Sequence, residues 1–270
     1  IPRYGLKHYG PYSHSAIQKI MVRFVYPSKL GRYISDFKDV LKTGSKKFPG
    51  FEKMYKIRLK ILDDLPINLE YLHRPEESKK LINVLNEDRT LEIKPVYIVV
   101  VPAYPRWYRQ APYYIMKAYL LKYGIMSQMI KIDTLVSRPY EEIAFNVANA
   151  IFAKVGGIPW ILWTRVPTFS NMSDRVAIIG MGISRIPKEP GYLEYDRYAG
   201  FTIMYNDEGQ LLYIKTFVTE YNRESALKRL KDALVEVVDK FSTYNVLDII
   251  IHYSGKEMSK YEEEELIKTC

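Results

Sequence analysis

The 270-residue sequence has little of what disulfide-stabilised, zinc-binding or membrane proteins need. Its single cysteine, Cys270, allows no disulfide within the chain, and its four histidines are scattered without the spacing of a zinc site. No apolar run reaches the roughly 18 residues of a transmembrane helix. The chain starts at Ile1 without a signal-like segment. These absences favour a globular protein of a reducing compartment, which we expect to be the cytoplasm.

Glycine-rich nucleotide loops are missing as well, since neither G-x-G-x-x-G nor G-x-x-x-x-G-K-[ST] follows a predicted strand. Acidic residues are scarce in the first part of the chain. Residues 1–155 contain 26 Lys and Arg against 14 Asp and Glu, whereas residues 156–270 contain 14 against 17. The net charge of +12 in the first part favours a polyanionic partner, although an ordinary basic surface would give the same counts.

The first part of the chain alternates between predicted strands and predicted helices. The predicted strands are 20–27, 54–62, 96–102 and 127–132, and the predicted helices are 31–44, 75–87, 112–124 and 139–157. The strand at 96–102 is a continuous apolar run, as in a strand covered on both faces. Four successive β-α units predict an α/β fold with a parallel sheet, whose ligands usually bind beyond the carboxyl ends of the strands.

The second part has a different order of elements. Three predicted strands, 175–183, 199–206 and 210–217, are followed by a helix at 222–242, a strand at 247–255 and a helix at 257–269. The tetrapeptide NDEG at 206–209 is a good tight turn between the second and third strands. This order is that of a ribonuclease H-like sheet. We therefore predict two domains, residues 1–155 and 156–270.

Four polar side chains could converge on a phosphate group. Tyr113 and Lys117 share one helix face, and Tyr113 lies in the first turn, where the helix dipole favours an anion. Gln128 begins the next strand, and Lys154 ends the next helix. Three of these residues also have a simpler interpretation. Tyr113 could be an aromatic residue at the rim of a cavity, Lys117 a solvated lysine, and Lys154 a lysine that merely stabilises a helix C-terminus.

The segment KVGGIPW at 154–160 ends a predicted helix with two glycines and stiffens the next segment with proline. Three other segments accompany it: YYIMK at 113–117, MSQMIKI at 126–132 and YGLKHYGPY at 4–12. Together they resemble the MID–PIWI half of the Argonaute family. The resemblance is closest to its short prokaryotic members, archaeal ones among them, which lack the N-terminal and PAZ domains. It covers essentially the whole chain in order.

The resemblance implies a Rossmann-like, parallel-sheet MID domain in residues 1–155 and a truncated, ribonuclease H-like PIWI domain in residues 156–270. In this family a Y-x-x-x-K pair, a glutamine on the following strand and the lysine before G-G bind the 5′-phosphate of a guide strand. By motif these residues are Tyr113, Lys117, Gln128 and Lys154. Asn146 and Asn149 are further candidates for contacts with guide phosphates. Magnesium at the 5′-phosphate is the one cofactor that the resemblance allows.

The aspartates of slicing Argonautes are not found where the resemblance places them. The first belongs in the segment IIGMGISR at 178–185, where Gly182 stands, and the second belongs in IIHYSGK at 250–256, where Ser254 stands. Neither glycine nor serine can replace a carboxylate that holds a divalent ion in a two-metal site. We therefore expect a catalytically inactive protein with no metal at this site.

The implied partners are a guide strand with a 5′-phosphate and a complementary target strand. The residues do not distinguish RNA from DNA, but short relatives lean toward RNA guides and DNA targets. The resemblance also implies a role in defence against foreign nucleic acid, with an associated effector protein. Two alternatives stay open: a protein-interaction scaffold that has lost guide binding, and an active guided nuclease with displaced carboxylates.

Overall fold

The computed structural model describes residues 2–13, 18–72, 74–105, 108, 111–137, 139–161, 175–188, 195–220, 222–254 and 260–268. The chain divides into two compact units, Ile1–Trp160 and Ile161–Cys270. The division lies close to the boundary predicted at residue 155. No helix in this described part of the chain is long and apolar enough to cross a membrane.

The first unit is built on a parallel sheet. Its strands are β1 (Lys19–Tyr26), β2 (Arg58–Ile61), β3 (Leu65–Pro66), β4 (Val96–Val101) and β5 (Ser127–Lys131). The order is β2-β1-β4-β5, with β3 paired to the end of β1, and all neighbours are parallel. Every residue of β4 is buried, because this strand lies between two others and under helices on both faces.

Seven helices cover the two faces of this sheet. They are α1 (Pro2–Tyr9), α2 (Gly31–Thr43), α3 (Phe51–Tyr55), α4 (Pro75–Thr90), α5 (Pro112–Lys122), α6 (Ile132–Ser137) and α7 (Tyr140–Lys154). Alternate residues of β4 divide between two apolar clusters: Ile98 packs with α2, α3 and α7, whereas Val99 packs with α4 and α5. The predicted parallel sheet with helices on both faces is confirmed.

One predicted strand of the first unit is partly wrong. The alternating pattern at 54–62 begins inside α3, and only residues 58–61 form a strand. Met54 and Tyr55 are both buried as neighbours on a helix, and Lys56 ends that helix in a left-handed conformation with φ of 58°. The true alternation therefore starts only after this turn. The short helices α1 and α6 were not predicted.

The second unit has the predicted order of elements. They are β6 (Val176–Pro187), β7 (Tyr195–Asn206), β8 (Leu211–Glu220), α8 (Arg223–Val238), α9 (Phe241–Tyr244), β9 (Asp248–Ser254) and α10 (Lys260–Ile267). The strands are ordered β8-β7-β6-β9; β6, β7 and β8 are antiparallel, and β9 runs parallel to β6. Helix α8 packs Leu230 and Leu234 against Ile179 and Met181 of β6. This arrangement confirms the ribonuclease H-like order.

Candidate functional site

Three of the four predicted phosphate-binding residues come together at the start of β5. The Nζ of Lys154 donates a hydrogen bond to Oε1 of Gln128 at 3.1 Å. The Nζ of Lys117 donates to the Oγ of Ser127 at 3.0 Å and to its carbonyl oxygen at 3.3 Å. We refer to Lys117, Ser127, Gln128 and Lys154 as the lysine cluster. Lys117 is close enough to Lys154 for its charge to lower the pKa of Lys154, so the two ammonium groups lie at one site.

The position of Lys154 is fixed by the glycines that follow it. Gly156 has φ of 93°, a conformation that ends α7 and that glycine adopts without strain. The N–H of Gly157 then donates to the carbonyl oxygen of Phe152 at 3.0 Å. A Cβ atom at Gly157 would lie 2.4 Å from the ring of Phe152, so only glycine fits there. The G-G pair therefore allows the chain to fold back on the last turn of the helix that carries Lys154.

The ring of Phe152 is itself held by a buried aromatic stack. It lies 4.7 Å from the ring of Tyr55, which in turn lies 4.8 Å from the ring of Phe51. All three side chains are buried, and burial raises the pKa of Tyr55 well above its ordinary value. The hydroxyl of Tyr55 donates to Oδ1 of Asn149 at 2.5 Å. Helix α3 thus fixes the end of α7 and, with it, the backbone that carries Lys154.

The lysine cluster carries positive charge without a carboxylate partner. In the described part of the chain, neither Lys117 nor Lys154 forms an ion pair, and each bonds only to neutral oxygen atoms. The pKa of Lys154 is lowered, first by partial desolvation and then by the charge of Lys117. Two ammonium groups that repel each other and lack a counter-ion make a site for an anion.

The cluster lies at the edge of the sheet opposite to the one expected. Ser127 is the first residue of β5 and pairs with Tyr97 near the start of β4, so the cluster is at the amino ends of the strands. The general rule that ligands of parallel sheets bind beyond the carboxyl ends therefore does not describe the position of these three residues. The reason is that Lys154 lies at the C-terminus of α7, and this end of the helix lies at the amino ends of the sheet strands.

Tyr113 lies apart from the lysine cluster. It occupies the first turn of α5, at the carboxyl edge, and its side chain is 39% exposed. Its ring borders a cavity of about 410 Å³, together with Val101, Tyr104 and Lys131. No hydrogen bond joins Tyr113 to the cluster among the described residues. The helix-dipole argument for an anion therefore applies near Tyr113 and not at the two lysines.

The two asparagines on α7 differ in their surroundings. Asn146 is exposed, and Asn149 is half-buried with its Oδ1 bonded to Tyr55. Neither side chain is hydrogen-bonded to the lysine cluster within the described residues. Contacts with guide phosphates remain a prediction for both, and for Asn149 the structure also provides a packing role.

The lysine cluster by itself does not suit magnesium. Mg²⁺ prefers carboxylate and water oxygens in octahedral geometry. The cluster contains two ammonium groups and no carboxylate, and Oε1 of Gln128 and both oxygens of Ser127 already accept bonds from those ammonium groups. A bound cation would therefore need ligands that these residues do not supply.

The two positions expected to carry slicing aspartates lie side by side. Gly182 of β6 and Ser254 of β9 are direct partners in the parallel register. A Cβ atom at Gly182 would lie 2.9 Å from the ring of Phe201 and 3.2 Å from the carbonyl oxygen of Ser254. Phe201 faces Gly182 directly across the β6–β7 pair. Its phenyl ring occupies the space into which a side chain at residue 182 would project.

Carboxylates are not gathered elsewhere in the described part of the chain, where no group of three or more His, Cys, Asp and Glu could hold a metal ion. Sequence reasoning missed two contributors to the candidate site. Ser127 is only 4% exposed and anchors Lys117, and Tyr55 supports the end of α7. A serine at the start of an apolar strand was a signal for the first, whereas nothing local indicated the second.

Comparisons with known proteins agree with the motifs. A family model described as the Piwi domain matches residues 98–270. The sequence is 27% identical to the protein argonaute of Aquifex aeolicus (strain VF5) over 185 residues, 68% of this chain and 25% of that protein. It is 22% identical to the Piwi protein of Archaeoglobus fulgidus over 258 residues, 93% of this chain and 53% of that protein. The chain thus spans about a quarter to about half of these relatives.

Solved structures show the same fold. The C-terminal lobe of a budding yeast Argonaute matches 95% of this chain and 51% of its own, with a TM-score of 0.65 and 12% identity. The A. aeolicus Argonaute matches 99% of this chain and 34% of its own, with a TM-score of 0.60 and 22% identity. Marinitoga piezophila Argonaute, in complex with a 5′ OH guide RNA, matches 98% of this chain and 40% of its own, with a TM-score of 0.58 and 16% identity.

Proposed function

The chain belongs to the Piwi domain family, and from this premise we propose that its lysine cluster binds the 5′-phosphate of a guide nucleic acid. The observation that carries the proposal is the pairing of two ammonium groups that have only neutral partners. The pKa of Lys154 is lowered by desolvation and then by the charge of Lys117, so its charged form is less favoured than that of a solvated lysine. A phosphate between Lys117 and Lys154 would remove the repulsion and replace neutral acceptors with charged ones, which make stronger hydrogen bonds.

The arrangement of the remaining residues supports a nucleotide rather than free phosphate. Tyr113 presents an exposed ring one helical turn from Lys117. Nucleobases commonly stack on exposed aromatic rings in single-strand binding sites. We propose that Tyr113 contacts the base of the first nucleotide, while Lys117, Gln128 and Lys154 hold its phosphate.

The proposed partners are a guide strand and a target strand that pairs with it. The basic first part of the chain, with a net charge of +12 over residues 1–155, suits a polyanion. Base pairing between the strands would select the target, as in other guided systems. We propose an RNA guide, a DNA target and a role in cytoplasmic defence with an effector protein; these four points rest on the family resemblance alone.

We also propose that the chain does not cut its target. The pair of Gly182 and Ser254 offers no carboxylate, and Phe201 fills the space above Gly182. A two-metal nuclease needs carboxylates at adjacent positions to hold its ions. Incubation of the guide-loaded protein with a matched, labelled target and Mg²⁺ or Mn²⁺ tests this directly, and metal-dependent cleavage would overturn it.

The binding proposal is tested by comparing two RNAs of one sequence, one with a 5′-phosphate and one with a 5′-hydroxyl. A DNA pair of the same sequence extends the comparison to the sugar. We expect tighter binding of the phosphorylated strand, with the preference lost in Lys117→Ala and in Lys154→Ala. Lys122→Ala, on the exposed end of α5, is the matched control and should keep the preference.

Three other outcomes have a defined meaning. Equal binding of both ends would overturn the phosphate pocket while leaving general nucleic-acid binding in place. A preference for the hydroxyl end would place this chain with the M. piezophila protein, whose structure holds a 5′ OH guide RNA. No binding at all would favour the scaffold alternative, and isolation of protein partners free of nucleic acid would then be the next measurement.

A further inference from the structure

The N-terminal segment of the first unit exposes an unusual number of aromatic rings. Tyr4, Tyr9 and Tyr12 are 59%, 84% and 56% exposed. The ring of His8 lies 4.1 Å from that of Tyr4 and 6.4 Å from that of Tyr9. Large rings displayed in series on a surface indicate an interaction site more often than a packing requirement.

This segment is firmly attached to the rest of the unit. Leu6 is buried in the main apolar cluster, and Arg3 donates to both carboxylate oxygens of Glu142 at 2.8 Å. The guanidinium of Arg3 also lies 4.8 Å from the centre of the ring of Phe145. Tyr4 and Tyr9 are therefore presented by a helix that is held in place on α7, and Tyr12 follows just beyond the end of that helix.

The surroundings of the rings are basic. The first 35 residues of the sequence contain no Asp or Glu. Lys7 is exposed on the same helix, and the exposed Lys56 lies beside Gly10, whose Cβ would be 3.8 Å from Cγ of Lys56. The carboxylate that contacts α1, Glu142, is already paired with Arg3. A surface of this charge complements a polyanion.

The segment runs along α7 towards the lysine cluster. Arg3 contacts the first turn of α7, and the N–H of Tyr12 donates to the carbonyl oxygen of Pro159 at 3.1 Å, just beyond the end of α7. Ser13 forms a two-way backbone bridge with Ile158 beside it. Tyr12 thus lies on the corner that directly follows Lys154. The rings of Tyr9 and Tyr4 continue from it along the direction of the helix.

We propose that Tyr4, Tyr9 and Tyr12, with Lys7 and Lys56, form a platform on which a single-stranded segment of nucleic acid stacks its bases. Proteins that bind single strands without sequence preference combine aromatic rings with positive charge along the backbone path. Helix α7 has 15 residues, about 22 Å at about 1.5 Å per residue. That length corresponds to about six nucleotides at about 3.4 Å each.

The platform lies outside the residues proposed to bind the first nucleotide and its 5′-phosphate, so it adds a second contact surface to the protein. The inference rests on the proposed function only in taking the anchored end of the strand to lie at Lys154. The rings themselves require no 5′-phosphate. A strand with either kind of 5′ end should stack on them, and this makes the two proposals separable.

The test uses the full chain with the triple variant Tyr4→Leu, Tyr9→Leu, Tyr12→Leu, which keeps apolar side chains but removes the rings. The ligands are RNAs of about three and about ten nucleotides, chosen to be shorter and longer than the estimated six-nucleotide span. Each is prepared with a 5′-phosphate and with a 5′-hydroxyl. Tyr244→Leu, a 42% exposed tyrosine of the second unit, is the control.

We expect the triple variant to bind the longer RNA at least about fivefold more weakly per ring that stacks a base. The loss should be the same for both 5′ ends. It should be smaller for the shorter phosphorylated RNA, which can reach Tyr12 beside the corner but not the rings further along the segment. The single variant Tyr9→Leu should also weaken binding of the longer RNA, whereas Tyr9→Trp should retain it because tryptophan also stacks. Tyr244→Leu should have no effect.

Three results would overturn the platform. The triple variant could bind the longer RNA as tightly as the wild-type chain, or it could lose the shorter RNA equally, or Tyr9→Trp could be as weak as Tyr9→Leu. A failure of the phosphate pocket would look different, because the preference for a 5′-phosphate would be absent while the tyrosine variants still weakened the longer RNA.

Discussion

The lysine cluster is formed by strand β5 and the helices α5 and α7, whereas Gly182 and Ser254 are partners on adjacent parallel strands. The two sites differ in what occupies them. In the first unit, Lys117 and Lys154 place two positive charges at one site without a counter-ion. In the second unit, Gly182 has no side chain and a phenyl ring fills the space above it. The first site contains two ammonium groups that repel each other, whereas at the second site a packed phenyl ring occupies the space.

This difference between the two sites bears on binding and on cleavage separately. A repulsive pair of ammonium groups is not needed for folding, and a stable fold would be expected to lose it unless it served a ligand. The second site differs from a carboxylate site in packing as well as in charge, because Phe201 packs directly over Gly182. These two observations support our proposals that the first site holds an anion and that the second does not hold catalytic metal ions.

The largest effect is expected from reversing a charge in the lysine cluster. Lys154→Glu should lower the affinity for the 5′-phosphorylated strand by on the order of a hundredfold or more, since it removes a charged hydrogen bond and adds repulsion. The preference for a 5′-phosphate should then be lost. Thermal stability should not fall, because the new carboxylate would face Lys117. Binding titrations and melting curves measure the two effects, with Lys122→Glu as the control. Retained preference would show that Lys154 does not touch the phosphate.

The next effect concerns the corner that positions Lys154. Gly157→Ala should lower the free energy of unfolding of the first unit by about 1–3 kcal/mol, because the added methyl group overlaps the buried ring of Phe152. It should also weaken the phosphate preference by shifting the end of α7. Urea unfolding and binding titrations measure both.

Gly5→Ala is the matched control for this substitution, since a Cβ atom there meets nothing within 4 Å. Alanine is also the better helix former, so this variant should be as stable as the wild-type chain or slightly more stable. If both variants unfolded alike, the proposed packing of Phe152 on Gly157 would be wrong.

A smaller effect on stability is expected at Gly182 in the second unit. Gly182→Asp should destabilise the second unit by about 1–2 kcal/mol more than Gly180→Asp. Gly180 lies on the same strand and face, but its Cβ would meet nothing within 4 Å. The effect is smaller than at Gly157 because the ring of Phe201 is 36% exposed and can move aside. Adding Phe201→Ala to Gly182→Asp should recover much of the loss, and equal stability of the two single variants would contradict the packing role of Phe201.

The sequence predicted the fold well where local patterns are strong. The apolar run of β4, the proline and glycine at the ends of 112–124, and the turn at 206–209 all correspond to observed elements. It failed at 54–62, where Met54 and Tyr55 are buried through contacts with α7 that are distant in sequence. Alternation alone cannot distinguish one buried helical turn from the first residues of a strand.

Three of the four residues predicted for the candidate site lie together, but the sequence did not predict at which edge of the sheet. Their binding of a phosphate stays a prediction. Motif spacing identified Lys117, Gln128 and Lys154, whereas the edge of the sheet depends on which end of each helix meets β5. The ring of Phe201 over Gly182 depends on the register between β6 and β7. A shift of that register by one residue would turn the ring to the opposite face, and no local pattern fixes such a register.

The smallest expected effect is a pH dependence of phosphate binding. The pKa of Lys154 is lowered from its ordinary 10.5 by desolvation and by Lys117, so its ammonium deprotonates in the folded protein before a solvated lysine would. The 5′-phosphate preference should therefore decline on the alkaline side at a pH below 10.5. Stability should move the other way: between the lowered pKa and 10.5 the unfolded chain binds more protons, so the free protein gains stability as pH rises.

Lys154→Arg separates this effect from a general loss of charge. The guanidinium of arginine stays protonated throughout this range, so the variant should keep its phosphate preference to a higher pH than the wild-type chain. The measurement is a series of paired titrations, with 5′-phosphate and 5′-hydroxyl RNA at each pH. Coincident profiles for the two proteins would mean that another group controls the decline. A later decline in the variant would instead show that the ammonium of Lys154, whose pKa is lowered first by desolvation and then by Lys117, controls the decline. Such a charged group has no counterpart at Gly182 and Ser254.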